Sequence, residues 1–310
     1  MKPTPLLTAW ILVLLTLIWG TTWGAVRLSL DGFAPLTSVS FRFALAVVLL
    51  AAWARAMGRQ VIPSGTRPER RHVVVWVVQA VFNFVVPYSL VYWAEQWVAT
   101  GLVAVLFSTM PIFVMLLAWF VLPEERLRPI GVLGMLVGFA GIGVIYSEDL
   151  GAFGGPEAAF AAVVFLLSPF SAAIGQVVVK RWGGDISSLS LAIIPMALAT
   201  LMLSSMAWIF EKDRPMDPQP AALGAILYLA LVGTALAFTL YYWLLKHVSA
   251  THLSLITYAT PIVAVTLGTL YFEEPITLKL VVGALLVLGG VGLAASPTRE
   301  RRSAASSEST

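Results

Sequence analysis

No cysteine occurs among the 310 residues, which excludes disulfides, thiolate metal sites and cysteine nucleophiles. Charge is scarce too. Charged side chains make up 11% of the chain, against roughly 25% in soluble globular domains. The three histidines, His72, His247 and His252, lie near the ends of apolar runs rather than in a cluster. No GxSxG, HExxH or DDxxD-like pattern is present, so the common signatures of hydrolases and metal-dependent transferases are missing. No Walker motif is present either, which excludes direct ATP drive within this chain. Neither a metal nor a cofactor is expected. The connecting loops, such as GRQVIPSGTRPERR, SEDLGAFGGPE and EKDRPMDPQP, are too short to form a soluble domain.

What the chain has is apolar surface. Apolar residues are 59% of the total and the mean hydropathy is +0.89. No soluble fold covers that much apolar area, so the expected solvent is lipid. An isoelectric point near 9.3 would suit nucleic acid, but the basic residues punctuate apolar runs, where membrane topology explains them. The bilayer is the expected partner, and nucleic acid is not. The first apolar run follows Lys2 and continues past residue 20 without a persuasive cleavage site, which reads as a retained helix.

Ten apolar segments have the length needed to cross a ~30 Å hydrocarbon core. They span about 6–28, 34–57, 72–94, 98–121, 128–146, 156–181, 188–210, 221–245, 250–271 and 277–296. The polar tail 297–310 reads as disordered. Lysine and arginine set the orientation. With the amino terminus in the cytoplasm, fourteen basic residues fall on that side, and only Arg27, Lys212, Arg214 and Lys279 fall outside. Both termini are then cytoplasmic.

The chain also repeats itself. Tyr92, Trp93 and Pro111 recur 150 residues later as Tyr242, Trp243 and Pro261. After one deletion, Glu124 and Glu125 recur as Glu273 and Glu274, and Gly134, Gly141 and Gly143 as Gly283, Gly290 and Gly292. Two copies of one unit follow, 6–146 and 156–296. Each holds five spans, an odd number, so the second enters the membrane upside down. The expected fold class is an all-α integral membrane protein of ten transmembrane helices in two inverted five-helix repeats. Inverted repeats are a hallmark of secondary transporters, because the two-fold axis makes the two open states near mirror images.

These stretches, with LIWGTTWGAVRL in the first span, SFRFALA in the second and ALAFTLYYWLLKHVSATHLSLITYATPIVAVTLGTLYFEEPITLKLVVGALLVLGGVG in the second half, resemble the EamA-type transporters of the drug/metabolite transporter superfamily. The resemblance covers about residues 6–296. It implies export or exchange of small metabolites, often amino acids, across the bacterial inner membrane. It does not fix the substrate. A membrane-embedded enzyme or a non-transporting scaffold is the alternative.

Arg42 is the sharpest candidate. It lies some eight residues into its span, about 12 Å deep at 1.5 Å per residue. A charge at that depth is costly and faces a cavity or a partner. It either attracts a substrate carboxylate or bonds protein groups. Its counterpart in the second half is Pro195, so the charge is not duplicated. Gln79, Asn83 and Pro87 make a stripe within about 80° on the third span, with Tyr88 and Tyr92 on the other side. That stripe either meets the ligand or bonds between helices. Gln176 is a weaker candidate of the same kind. Ser108 and Tyr258 occupy matched faces of the fourth and ninth spans, and Pro111 and Pro261 are candidate hinges. Trp19, Phe238 and Tyr258 are candidates to line an apolar central pocket. Arg42, Trp19, Gln79, Asn83, Tyr88, Ser108, Phe238 and Tyr258 therefore form the expected substrate site.

Two features read as structural. Gly131, Gly134, Gly138 and Gly141 form a packing stripe, either within the chain or against a second copy in a homodimer. The glutamate pairs read as acids facing the macrodipoles of the helices that follow them, more than as proton carriers. With every carboxylate near a surface, facilitated diffusion or exchange is expected over proton antiport.

Overall fold

The computed structural model describes residues 4–62, 68–122, 129–147, 155–245 and 250–294. Glu124, Glu125, His247 and the tail 297–310 lie outside them, as do the side chains of Thr251, His252, Ser254 and Tyr258. Helices account for the architecture, and no strand occurs among the described residues. In chain order they are α1 (Pro5–Leu30), α2 (Pro35–Ala56), α3 (Arg70–Ala94), α4 (Thr100–Val121), α5 (Pro129–Tyr146), α6 (Pro156–Trp182), α7 (Ser188–Phe210), α8 (220–245), α9 (Ala250–Phe272) and α10 (Leu278–Ala294). Seven of them, α1–α4 and α6–α8, are long and apolar enough to cross a membrane. Residues 129–145, 260–272 and 278–290 form shorter apolar helices.

Proline opens many of these elements. Pro5, Pro35, Pro129, Pro156 and Pro220 sit at helix starts, where the missing N–H has no partner to lose and φ is preset. Thr4 accepts a bond from Leu7 N and caps α1. Large apolar side chains such as Phe120, Trp208, Leu270 and Leu278 stand exposed on the outside, as lipid requires. Trp10, Trp53, Trp97 and Trp182 are exposed near helix ends, where amphipathic rings favour the interface. Gln176 is exposed as well, on the periphery of α6 rather than in an interior cavity.

The helices pack symmetrically. The close pairs are α2–α7, α5–α10, α4–α9, α1–α9 with α6–α4, and α1–α8 with α6–α3. Exchanging the two halves leaves this set unchanged. Gly134, Gly138, Gly141, Gly283 and Gly290 meet in the α5–α10 seam inside one chain, whereas Gly131 faces Met115 of α4. A Cβ at Gly141 would lie 2.7 Å from Gly283 O, and one at Gly290 would lie 2.5 Å from Gly134 O.

Two helices change register. α3 is a π-helix over Gln79–Val85, and α8 is one over Leu231–Leu236. These are equivalent places in the two halves. In the i→i+5 pattern, Val86 N bonds to Val81 O, and the next residue is Pro87, which has no N–H. The carbonyl left over is Phe82 O. Ser171 of α6 donates its hydroxyl to it at 2.9 Å, and Ser168 donates to Pro87 O at 3.1 Å. The freed carbonyl is therefore used between helices, not offered to a ligand. Ser171→Ala is expected to cost roughly 1 kcal/mol, read as a fall in thermal midpoint of the detergent-purified protein.

α4 is interrupted by a turn at Ser108 and Thr109, and Pro111 lies in the first turn of its second segment, which starts at Met110. Pro261, its counterpart, lies inside an unbroken α9. The two halves are thus alike in packing but not in the break at this proline.

Candidate functional site

Arg42 lies on α2 at the seam between the halves and is 2% exposed. Its Nε donates to Thr234 Oγ1 at 2.9 Å, and Nη1 reaches Tyr92 Oη at 3.4 Å. Thr234 belongs to the π segment of α8. Gly233, beside it, lets α8 come close. A Cβ there would lie 2.7 Å from Thr22 Cγ2 and 3.8 Å from Arg42 Nη2. Tyr88 places its ring 4.9 Å from Arg42 Cζ, with Phe43 at 5.7 Å. The negative face of an aromatic ring offsets part of the cation's desolvation. No ion pair to Arg42 occurs among the described residues. Its partners are neutral.

A chain of rings leads away from the guanidinium. Tyr88 meets Phe43 at 4.8 Å, Phe43 meets Phe84 at 5.5 Å, Phe84 meets Phe238 at 5.7 Å, and Phe238 meets Trp19 at 5.9 Å. Trp19 also meets Tyr241 at 5.4 Å. Arg42, Tyr88, Phe238 and Trp19 are therefore one continuous cluster. The other expected residues lie elsewhere. Gln79 and Asn83 face Gly175 of α6, where a Cβ would lie 2.7 Å from Gln79 Oε1 and 2.9 Å from Asn83 Cβ. Gln79 Oε1 is buried and has no hydrogen-bond partner among the described residues. Ser108 spends its hydroxyl on Val105 O of its own helix at 2.6 Å. Tyr258 belongs to α9, its side chain outside the described residues.

The sequence reading missed Thr234 and set Tyr92 aside. Thr234 carries no local signal beyond its place beside a glycine. Tyr92 was legible as lying opposite the amide stripe, and the cation is on that opposite side.

Carboxylates of the second half bind the first half at one end of the bundle, the end where α1 finishes and α2 begins. Glu211, at the end of α7, accepts from Leu36 N at 2.9 Å, Thr37 N at 2.8 Å and Thr37 Oγ1 at 2.8 Å. Glu274 accepts from Thr100 N at 2.6 Å and Gly101 N at 3.1 Å. Both cap helices of the other half. Lys279 donates to Ser147 O at 2.6 Å, and Asp217 N donates to Gly32 O at 2.9 Å. This corrects the reading of the second glutamate pair. Glu274 serves α4, not the α10 that follows it. Glu273 explains the difference, because its left-handed backbone (φ 55) ends α9 and turns the next residue back. Glu274 N then bonds to Gly268 O at 3.0 Å, and its carboxylate lies where a Cβ of residue 268 would be. Gly268→Ala is expected to push Glu274 off the α4 amides and cost about 1 kcal/mol or more. A thermal midpoint equal to the parent's would contradict this.

At the opposite end, Asp185 accepts from Arg71 Nη2 at 2.7 Å and sits 2.9 Å from His72 Nε2. The His72 bond is the main reason its carboxyl lies below the usual range.

Apolar helices, a lipid-facing exterior and two halves with interchangeable packing define a multi-pass membrane protein built by duplication. One family description fits both halves, over 6–147 and 159–296, and the chain belongs to that family, the EamA-like transporter family. It is a membrane transporter. Protein PagO of Salmonella typhimurium is 27% identical over 286 residues, covering 89% of this chain and 91% of its own. The uncharacterized inner membrane transporter YedA of Escherichia coli K12 is 28% identical over 256 residues, covering 82% and 79%. The uncharacterized transporter YoaV of Bacillus subtilis is 24% identical over 280 residues, covering 90% and 94%. A crystal structure with 22% identity shares the fold at a TM-score of 0.66, covering 93% of this chain and 96% of the other.

Proposed function

We propose that this transporter exports or exchanges small metabolites that carry an acidic group, amino acids or related amphiphilic compounds, by alternating access across a bacterial inner membrane. The observation that carries the reading is Arg42, a buried cation at the seam of two halves whose partners among the described residues are all neutral. A charge of that kind is costly, and a substrate carboxylate offers it the bidentate partner that a guanidinium suits best. The adjoining rings from Tyr88 to Trp19 fit an apolar side chain. In this reading the chain crosses the membrane ten times as two inverted five-helix units, with both termini in the cytoplasm. The end held by Glu211 and Glu274 then faces outside. The symmetric helix pairing and the excess of basic residues near the other end support it.

Arg42 is occluded here, so substrate reaches it only when the halves part at one end. A flux screen in proteoliposomes against amino acids, sugars and cationic drugs tests the reading. Transport of acids over the other two classes is the expected result. A preference for cationic drugs would overturn the role given to Arg42.

A further inference from the structure

The site at Arg42 leaves one buried carboxyl unused. Glu95 follows α3, and its chain position alone puts it at a membrane surface. Its burial is nonetheless complete. The chain turns tightly there, with Trp97 N and Val98 N both bonding to Ala94 O. Arg27 of α1 donates to the backbone carbonyl of Glu95, not to its carboxyl. Thr100 begins α4 at the same spot, and its hydroxyl donates to Glu95 Oε2 at 3.1 Å. Oε1 is buried and has no hydrogen-bond partner among the described residues. Glu274 approaches from the second half, bound to the first two amides of α4.

Among the described residues the charged groups that act on Glu95 are therefore Glu274, from the turn after α9, and Arg27, from α1. An ionised carboxylate with one bare oxygen, out of water and near a second carboxylate, is strongly disfavoured, whereas the neutral acid is not. Burial, with the Glu274 charge adding to it, holds the carboxyl well above the usual carboxylate range; the Thr100 hydroxyl and Arg27 oppose it.

We propose that Glu95 is a proton-binding site, carrying a proton while Glu274 holds the start of α4 and losing it when the halves part at this end. Parting breaks the two amide bonds to Glu274 and admits water. The carboxyl O–H bond then breaks, its electron pair stays on the carboxylate, and the proton passes to that water. Closure requires the proton back, because the ionised form cannot return to the dry site. The proton leaves and returns at the same end, so the pH on that side of the membrane sets how readily the halves part and close there. This rests on the alternating-access reading above, and it adds a pH dependence to the facilitated diffusion or exchange expected from the sequence.

The test uses the full-length protein in nanodiscs, with protons as the probe. Infrared pH titration of the parent is expected to show a protonated-carboxyl carbonyl band at neutral pH that Glu95→Gln lacks. Thermal midpoints supply a second measurement. A carboxyl raised in the folded state stabilises below its unfolded value near 4.5, and that stability is lost as pH rises towards the folded value. The parent should match Glu95→Gln at about pH 4 and fall below it by about pH 8. In proteoliposomes, acid flux should change severalfold with the pH on that side of the membrane in the parent and not in Glu95→Gln. Identical spectra and parallel midpoints would overturn the proton site while leaving the transport reading intact. A titrating Glu95 in a protein that moves no acid, sugar or drug would overturn the coupling together with the transport reading.

Discussion

Arg42→Gln is expected to abolish flux of carboxylated substrates while the protein inserts, purifies and melts as a folded species. A charge-assisted contact in a dry site is worth about 2–5 kcal/mol when one partner is truncated. At roughly 1.4 kcal/mol per tenfold change, the loss in apparent affinity is about 30-fold or more. Stability should move the other way or not at all. Arg42 has no acidic partner among the described residues, so removing it strands no opposite charge, and it relieves a desolvation cost. Arg42→Lys keeps the charge but not the planar fork, and should leave a partial activity. Full flux in Arg42→Gln would sink the substrate role. A variant that fails to fold would make Arg42 a structural link to Thr234 and Tyr92.

Gly290→Val and Gly141→Val are expected to be the most destabilising single changes in the α5–α10 seam. A Cβ at Gly290 would lie 2.5 Å from both Gly134 O and Gly138 N, and one at Gly141 would lie 2.8 Å from Val287 N. These are backbone atoms, which cannot rotate away as a side chain can. The helices must separate, losing van der Waals contact along their length. Overpacking of this kind costs about 3 kcal/mol. Gly289 is the internal control. A Cβ there meets nothing within 4 Å, so Gly289→Ala should melt with the parent or above it, given the helix propensity gained. Equal midpoints for Gly289→Ala and Gly290→Val would mean that the seam is not tight.

The helices were legible because apolar runs of about 20 residues match the bilayer in length and are too apolar to stay in water. The repeat was legible because its prolines and glycines keep their spacing. Arg42 stood out against the same background, as a charge inside an apolar run. Its partners did not. Thr234 is 192 residues away and lies in a π segment, and an i→i+5 register leaves no mark on composition or hydropathy. Glu95 was misplaced because distance along a helix was equated with distance from water. A tight turn, Arg27 and the other half bury a residue that the count puts at the surface. Glu274 was assigned to the wrong helix because a left-handed residue reverses the chain, a conformation rare enough outside glycine that sequence did not suggest it at Glu273.

The paired π segments belong to the repeated unit. Gln79–Val85 and Leu231–Leu236 occupy corresponding stretches of the two copies. The distortion is thus a property of the unit rather than of one half, and the two copies put it to different uses. In α3 it leaves Phe82 O for Ser171 of α6. In α8 it carries Thr234 to Arg42, which α3 approaches from the other side with Tyr88 and Tyr92.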